Sequence, residues 1–272
     1  MRDNGLIEGK HYTIEERAAE GDYERFPALT RDLLQRNPAV ILVSTIAAVR
    51  AAQQATKTVA IVFPALNDPV ASGLVASLAR PGGNTTGLTT QADDTVVKSM
   101  QHLREMLPRA RRIAVLLNPG NSSNSRMLDQ VRSIAGRASI TTRAFEMTTA
   151  LDKALGAIAQ HRPDALVVLR DANLISQHER ISTFGLKSGI PVIAPAIEFV
   201  DSGSLIAYSP SLVEMYRRSA SYVTKILSGT KPADLPIEQP TKFELVINMK
   251  TAKALGIKIP QTLLISVDRV IE

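Results

Sequence analysis

The strongest constraint on this chain is its alternation of short, unbroken apolar runs with segments of helical period. AVILVS (39–44), TVAIVF (58–63), RRIAVLLNP (111–119), DALVVLRD (164–171) and PVIAPA (191–196) are too short for buried helices and apolar on both sides of a strand. TIAAVRAAQQAT, TVVKSMQHLREML (95–107), SNSRMLDQVRSIAGRA (123–138), DKALGAIAQ (152–160), LISQHERISTFGLKSG (174–189) and LVEMYRRSASYVTKILSG (212–229) lie between or after them with helical spacing. Strand, helix, strand at these lengths predicts βαβ units and parallel sheets covered on both faces. ITTRAFEM (140–147), LIAYS (205–209) and FELVIN (243–248) add strands, and MKTAKALGI follows the last of them. DPVASGLVASLA (68–79) reads as a short helix closed by Pro81-Gly82-Gly83, with PGGNTTG as turn structure. The Pro-marked turn at Leu107–Arg111 is the best internal break. The 272 residues accommodate two α/β lobes of near a hundred residues each.

Composition excludes several kinds of chemistry. There are no cysteines, so disulfides, thiolate metal sites and a cysteine nucleophile are absent. His11, His102, His161 and His178 are far apart and none has metal-ligand spacing. No nucleotide-binding glycine motif follows a strand, PGGNTTG lacks a phosphate-holding lysine, and no nucleophile elbow or zinc-protease motif occurs. The net charge of +6 is scattered, and aromatics make up 4% with no Trp, so no stacking platform for nucleic acid is present. No apolar run is long enough to span a bilayer, and MRDNGLIEGKHY has no apolar core of the signal-peptide kind.

In open parallel sheets, ligands bind beyond the carboxyl ends of the strands, near helix N-termini. The residues there are Ser44-Thr45, Ala65, Asn67-Asp68, Asn118 with Asn121-Ser122-Ser123, Arg170-Asp171-Asn173, Glu198 and Tyr208-Ser209. Hydroxyls and free N–H groups at a helix start suit a carboxylate, and carboxylates suit an ammonium. Together they suit a zwitterion such as an amino acid. Each also has a plain structural reading. Ser44-Thr45 and Ser122-Ser123 are N-caps, Asn67-Asp68-Pro69 opens a helix, Asp171 and Glu198 are surface charges, and Tyr208 is half-buried packing.

Several blocks, covering nearly the whole chain, resemble one family. They are AEGDYERFPAL, IVFPALNDPVASGLVASLARPGGNTTGL, RRIAVLLNPGNSSN, DALVVLRD, IPVIAPAIEFVDSGSLIAYSP, the long block YRRSASYVTKILSGTKPADLPIEQPTKFELVINMKTAKALGIKIP, and DRVIE. These resemble the ABC-transporter substrate-binding proteins of the type I periplasmic-binding-protein fold, in the branch that includes binders of aromatic amino acids such as tryptophan. The resemblance implies two doubly wound parallel-sheet lobes, 1–108 plus 205–236 and 109–204 plus 237–272, joined by crossovers near 108–111, 203–206 and 236–242. It implies a small solute held in the cleft between the lobes, delivery to an ABC permease in the membrane, a monomer, no cofactor, no metal, no nucleic acid and no catalysis. Carried over by position, Ser44 and Thr45 would hold the solute's carboxylate, with Ala65, Asn67 and Asp68 beside them. Asn118, Asn121, Ser122, Asp171 and Glu198 would close from the other lobe and hold the ammonium, and Tyr208 would stand where the chain crosses back.

Two departures qualify the resemblance. Relatives carry an export signal or lipid anchor, a first strand and most of a first helix ahead of a segment like NGLIEGKHY. The resemblance therefore implies a periplasmic or cell-surface protein if the full-length form has that leader, and a less stable first lobe without the strand. STIAA also stands where many relatives have a Gly-Thr-Pro turn, which leaves the solute open among aromatic amino acids, branched-chain amino acids and small aromatic acids. A ligand-sensing regulatory domain of the same fold and an α/β enzyme acting on a carboxylated metabolite remain the alternatives.

Overall fold

The computed structural model describes residues 1–148 and 150–272. The chain divides into two compact units, Met1–Thr90 with Leu212–Thr241, and Gln91–Ser211 with Lys242–Glu272.

In the first unit, helix α1 (Phe26–Gln35) leads into strand β1 (Val40–Leu42), helix α2 (Ile46–Ala55), strand β2 (Ala60–Leu66) and strand β3 (Thr85–Thr89). The strands form a parallel sheet in the order β1-β2-β3, with Leu42 opposite Val62 and Phe63 opposite Gly87. Successive side chains of β2 point to opposite faces. Ile61 and Phe63 therefore join Val49 and Ala52 of α2, while Val62 joins the core on the other face. The segment 68–79, expected as a helix, holds only isolated turns: the Ser72 amide bonds Asp68 O at 3.1 Å and the Leu74 amide bonds Pro69 O at 3.0 Å. Gly73, at φ +68°, breaks the helical path before a second turn can propagate. The TTG of PGGNTTG, expected as turn, opens the buried strand β3 (TTGLT). Its Thr and Gly content hides it from a hydrophobicity scan.

The second unit begins with helix α3 (Ala92–Met106) and continues through β4 (Arg112–Leu117), α4 (Ser123–Arg137), β5 (Thr141–Glu146), α5 (Leu151–His161) and β6 (Ala165–Val168). Helices α6 (Ala172–Ser176) and α7 (His178–Ser188) divide at Gln177 what the sequence suggested was one helix; strand β7 (Val192–Ala194), helix α8 (Glu198–Asp201) and strand β8 (Ile206–Ser209) follow. Helix α9 (Leu212–Leu227) returns to the first unit, where Met215 and Tyr222 pack with Val62 and Leu88. The chain finishes in the second unit with β9 (Glu244–Asn248), α10 (Met249–Ala254), α11 (Gln261–Leu264) and β10 (Arg269–Ile271). Seven strands make one sheet in the order β10-β9-β8-β7-β6-β4-β5, parallel except between β8 and β9. Ile113, Val115 and Leu117 of β4 face α3 and α4, while Ala114 and Leu116 face the α5 and α7 side.

The units change at 90/91, 211/212 and 241/242, not at 108, 204 and 236 as expected. Helix α3 and strand β8, both expected in the first lobe, belong to the second unit. The Pro108 turn misled because it ends a helix without ending a core. Val96, Met100, Leu103 and Met106 of α3 share one apolar cluster with Ile113, Val131 and Ile206.

Candidate functional site

In the first unit, the parallel register of β1 and β2 brings their carboxyl ends to one edge. Thr45 Oγ1 accepts a hydrogen bond from the Ala48 amide at 3.1 Å and so caps α2. Ser44 and Ala65 are half-buried beside these strand ends. Asn67 is buried, and its Oδ1 accepts from Thr90 Oγ1 at 2.9 Å. Asp68 stands at φ +22°, and its Oδ1 accepts from the Ala71 amide at 3.0 Å. The Pro81–Asn84 turn lies at the opposite edge, where Asn84 O accepts from the Ile61 amide near the start of β2. Asn84 Nδ2 donates to Val59 O at 2.7 Å and Thr56 O at 3.2 Å, which ties the turn to the entry of β2. That turn is structural, as its composition suggested.

In the second unit, the loops after β4 and β6 interlock. The Asp171 carboxylate accepts from Asn118 Nδ2 at 3.0 Å and Asn121 Nδ2 at 3.1 Å, and from the amides of Asn173 and Leu174 at 3.0 and 3.1 Å. It is 1% exposed. Asn124 adds bonds to the Asn118 amide and to Arg170 O. The start of α4 is served by Asn121 Oδ1, which accepts from the Ser123 amide and Ser123 Oγ; Ser122 is exposed and caps nothing. Of the residues picked out from the sequence, Asn118, Asn121 and Asp171 thus form one joined group. Its hydrogen bonding makes it a rigid frame, and the acid satisfies itself within it.

Glu198 differs. It opens α8 just beyond β7, and its Oε2 is enclosed with no hydrogen-bond partner among the described residues. A buried carboxylate oxygen without a donor is costly and calls for one. Tyr208 belongs to another group. Its ring stacks on Phe243 at 5.4 Å and meets the edge of His102 at 5.9 Å. Burial, and to a lesser degree Asp268, pushes its phenol pKa up.

Arg170, named from the sequence with Asp171 among the strand-end residues, was not carried into the expected set of solute contacts. It follows the apolar run of β6 directly, is 5% exposed, and donates from Nη1 to Pro195 O at 2.8 Å. A charged residue straight after a buried strand was the available signal. Thr95 and Ser99 of α3 also escaped, because they sit inside an ordinary amphipathic pattern. With Arg170 they edge a narrow crevice between α3 and the ends of β6 and β7, walled by Val96, Val167 and Ile193. Among the described residues, no group of three or more His, Asp or Glu could hold a metal, and no helix is long and apolar enough to cross a membrane.

Residues 1–271 match the family described as ABC transporter substrate binding protein. The chain is similar to a tyrosine-binding protein of Clostridioides difficile (strain R20291), 24% identical over 260 residues, which is 95% of this chain and 74% of that protein. Among solved structures it is similar to a conserved domain protein of Vibrio cholerae O1 biovar El Tor, 29% identical with a TM-score of 0.87, covering 99% of this chain and 90% of the other. It is also similar to an ABC domain from Streptococcus pneumoniae in complex with L-Trp, 23% identical with a TM-score of 0.85, covering 99% and 93%. These structural matches have the type I periplasmic-binding-protein fold expected from the sequence.

Proposed function

Because the chain belongs to the ABC transporter substrate-binding proteins and so serves as the solute-binding component of an ABC transporter, we propose that its solute is an amino acid or a small aromatic acid. The family binds small solutes, works with ABC permeases, and is extracytoplasmic or surface-associated. The observation that carries the reading is the enclosed, donorless Oε2 of Glu198 at the carboxyl end of β7. An ammonium group supplies the missing donors, beside the positive charge that Arg269 already brings near the carboxylate. In the first unit, Ser44 and the N-terminus of α2 suit the carboxylate. Asn118, Asn121 and Asp171 hold the surrounding loops still, and Ala65, Asn67, Asp68, Ser122 and Tyr208 stay candidates for direct contact. The tyrosine named for the C. difficile relative and the L-Trp bound in the S. pneumoniae structure support an aromatic side chain. The protein acts as a monomer, binds no nucleic acid, and shifts between open and closed populations by the solute's differential affinity for them.

The experiment is a thermal-unfolding screen of ligand-stripped protein against tyrosine, tryptophan, phenylalanine, leucine and benzoate. A true solute at a hundred times its Kd stabilises the fold by about 2.7 kcal/mol. Glu198→Ala and Asp68→Ala are expected to abolish the shift while leaving unliganded unfolding close to the parent. Unchanged affinity in both variants overturns the site; no shift with any of these compounds overturns the solute class.

A further inference from the structure

We propose that the crevice between α3 and the ends of β6 and β7 reads a hydroxyl group on the solute's aromatic ring, with Ser99 as its hydrogen-bonding residue. This rests on the reading of the chain as a binder of aromatic amino acids or acids.

Ser99 is 8% exposed and lines the crevice. Its hydroxyl makes no hydrogen bond to the described residues and is not sealed off, so it keeps contact with the crevice space. In a helix the ready partner of a serine or threonine hydroxyl is a carbonyl one turn back. Thr95, on the same face, does this: its Oγ1 donates to Ala92 O at 2.9 Å. Ser99 does not, which leaves a donor and an acceptor facing the crevice. The space has room for about one water-sized group. A hydroxyl fits it; a carboxylate or an indole ring does not. Val96, Val167 and Ile193 form apolar walls, and of the other hydroxyls in the lining Thr95 Oγ1 is already committed to Ala92 O. Arg170 lines the crevice as well, with Nη1 committed to Pro195 O. The lining residues Val168, Arg170, Ala194 and Pro195 stand at or just past the carboxyl ends of β6 and β7, the edge where ligands bind in sheets of this kind. A site that hydrogen-bonds a substrate hydroxyl discriminates against the analogue lacking it, because its own polar group is then left unpaired.

The test measures binding by isothermal titration of matched pairs: tyrosine against phenylalanine, and 4-hydroxybenzoate against benzoate. In the parent, the hydroxylated member of the bound pair is expected to bind about tenfold more tightly, the scale of one neutral hydrogen bond. In Ser99→Ala that ratio is expected to fall to about one. A parent ratio of one overturns the inference without needing any variant. A parent preference that persists in a folded Ser99→Ala protein, with both members weakened equally, also overturns it. Binding of phenylalanine or benzoate with no preference for the hydroxylated partner leaves the aromatic reading intact and removes only this inference. Failure of all four compounds removes this inference, and the proposed solute class falls with it once tryptophan and leucine fail as well.

Discussion

Replacing Gly87 by alanine places a Cβ 2.0 Å from the carbonyl oxygen of Phe63, 2.6 Å from its Cδ2 and 2.8 Å from its Cγ. These atoms cannot step aside cheaply. Phe63 sits in β2, the middle strand of its sheet, and is fully buried against α2. Gly87 is paired with it across the ladder, at φ +152°, a conformation that side chains disfavour. On the other side, Gly87 O accepts from the Glu238 amide at 3.1 Å and Thr86 Oγ1 donates to Leu235 O at 2.7 Å, so β3 is held from both edges. The alanine must open the β2–β3 ladder or tear β3 from the 235–238 segment. Backbone strain of about 1–3 kcal/mol and overpacking of about 1–3 kcal/mol together give a loss of roughly 2–6 kcal/mol. A natural domain has only about 5–15 kcal/mol of stability, so the loss is a large share of it. Gly82→Ala is the control, since Gly82 has φ +75° and open space around it; it is expected to cost about 1 kcal/mol from the backbone alone. Urea unfolding followed by far-UV circular dichroism measures both. If Gly87→Ala costs no more than Gly82→Ala, the close approach of β3 to β2 is not what selects glycine, and the reasoning fails.

His102 tests burial through pH. Burial in α3 lowers its pKa, with Lys98 acting the same way and Glu105 opposing. The imidazole is therefore neutral in the fold at pH values where the unfolded chain already binds a proton. Its contribution to stability is complete above about pH 6.5, the ordinary value, and is lost as pH falls through the depressed folded pKa. The urea midpoint of the parent is expected to drop more between pH 7.5 and 5.5 than that of His102→Leu; equal drops would falsify the assignment. Asp171→Ala strands the Asn118 and Asn121 amides and two backbone N–H groups at once, so a loss of about 2–4 kcal/mol is expected in the same assay. A loss below 1 kcal/mol would show that the two loops hold their shape without the acid.

The alternation of apolar strands and amphipathic helices was enough to establish an α/β fold with mostly parallel sheets. Hydrophobic period is a local property, and burying both faces of a strand leaves its mark residue by residue. The carboxyl-end rule likewise groups Asn118, Asn121 and Asp171, which the fold joins by hydrogen bonds, because strand ends can be read in one dimension. What could not be read there depended on partners distant along the chain. TTGLT is a strand because Phe63 and the 235–238 segment lie against it, and nothing in its own five residues announces that. The Pro108 turn looked like a lobe boundary, but α3 shares its core with β4 and β8, so the boundary falls before the helix. The roles of polar residues divided in the same way. Composition placed Asp171 and Glu198 on equal terms as candidate acids. Only the tertiary structure separated them, by surrounding Asp171 with four donors and burying one oxygen of Glu198 with none. A carboxylate's chemistry is set by the donors brought to it from elsewhere in the chain, and that supply is decided only when the chain has folded.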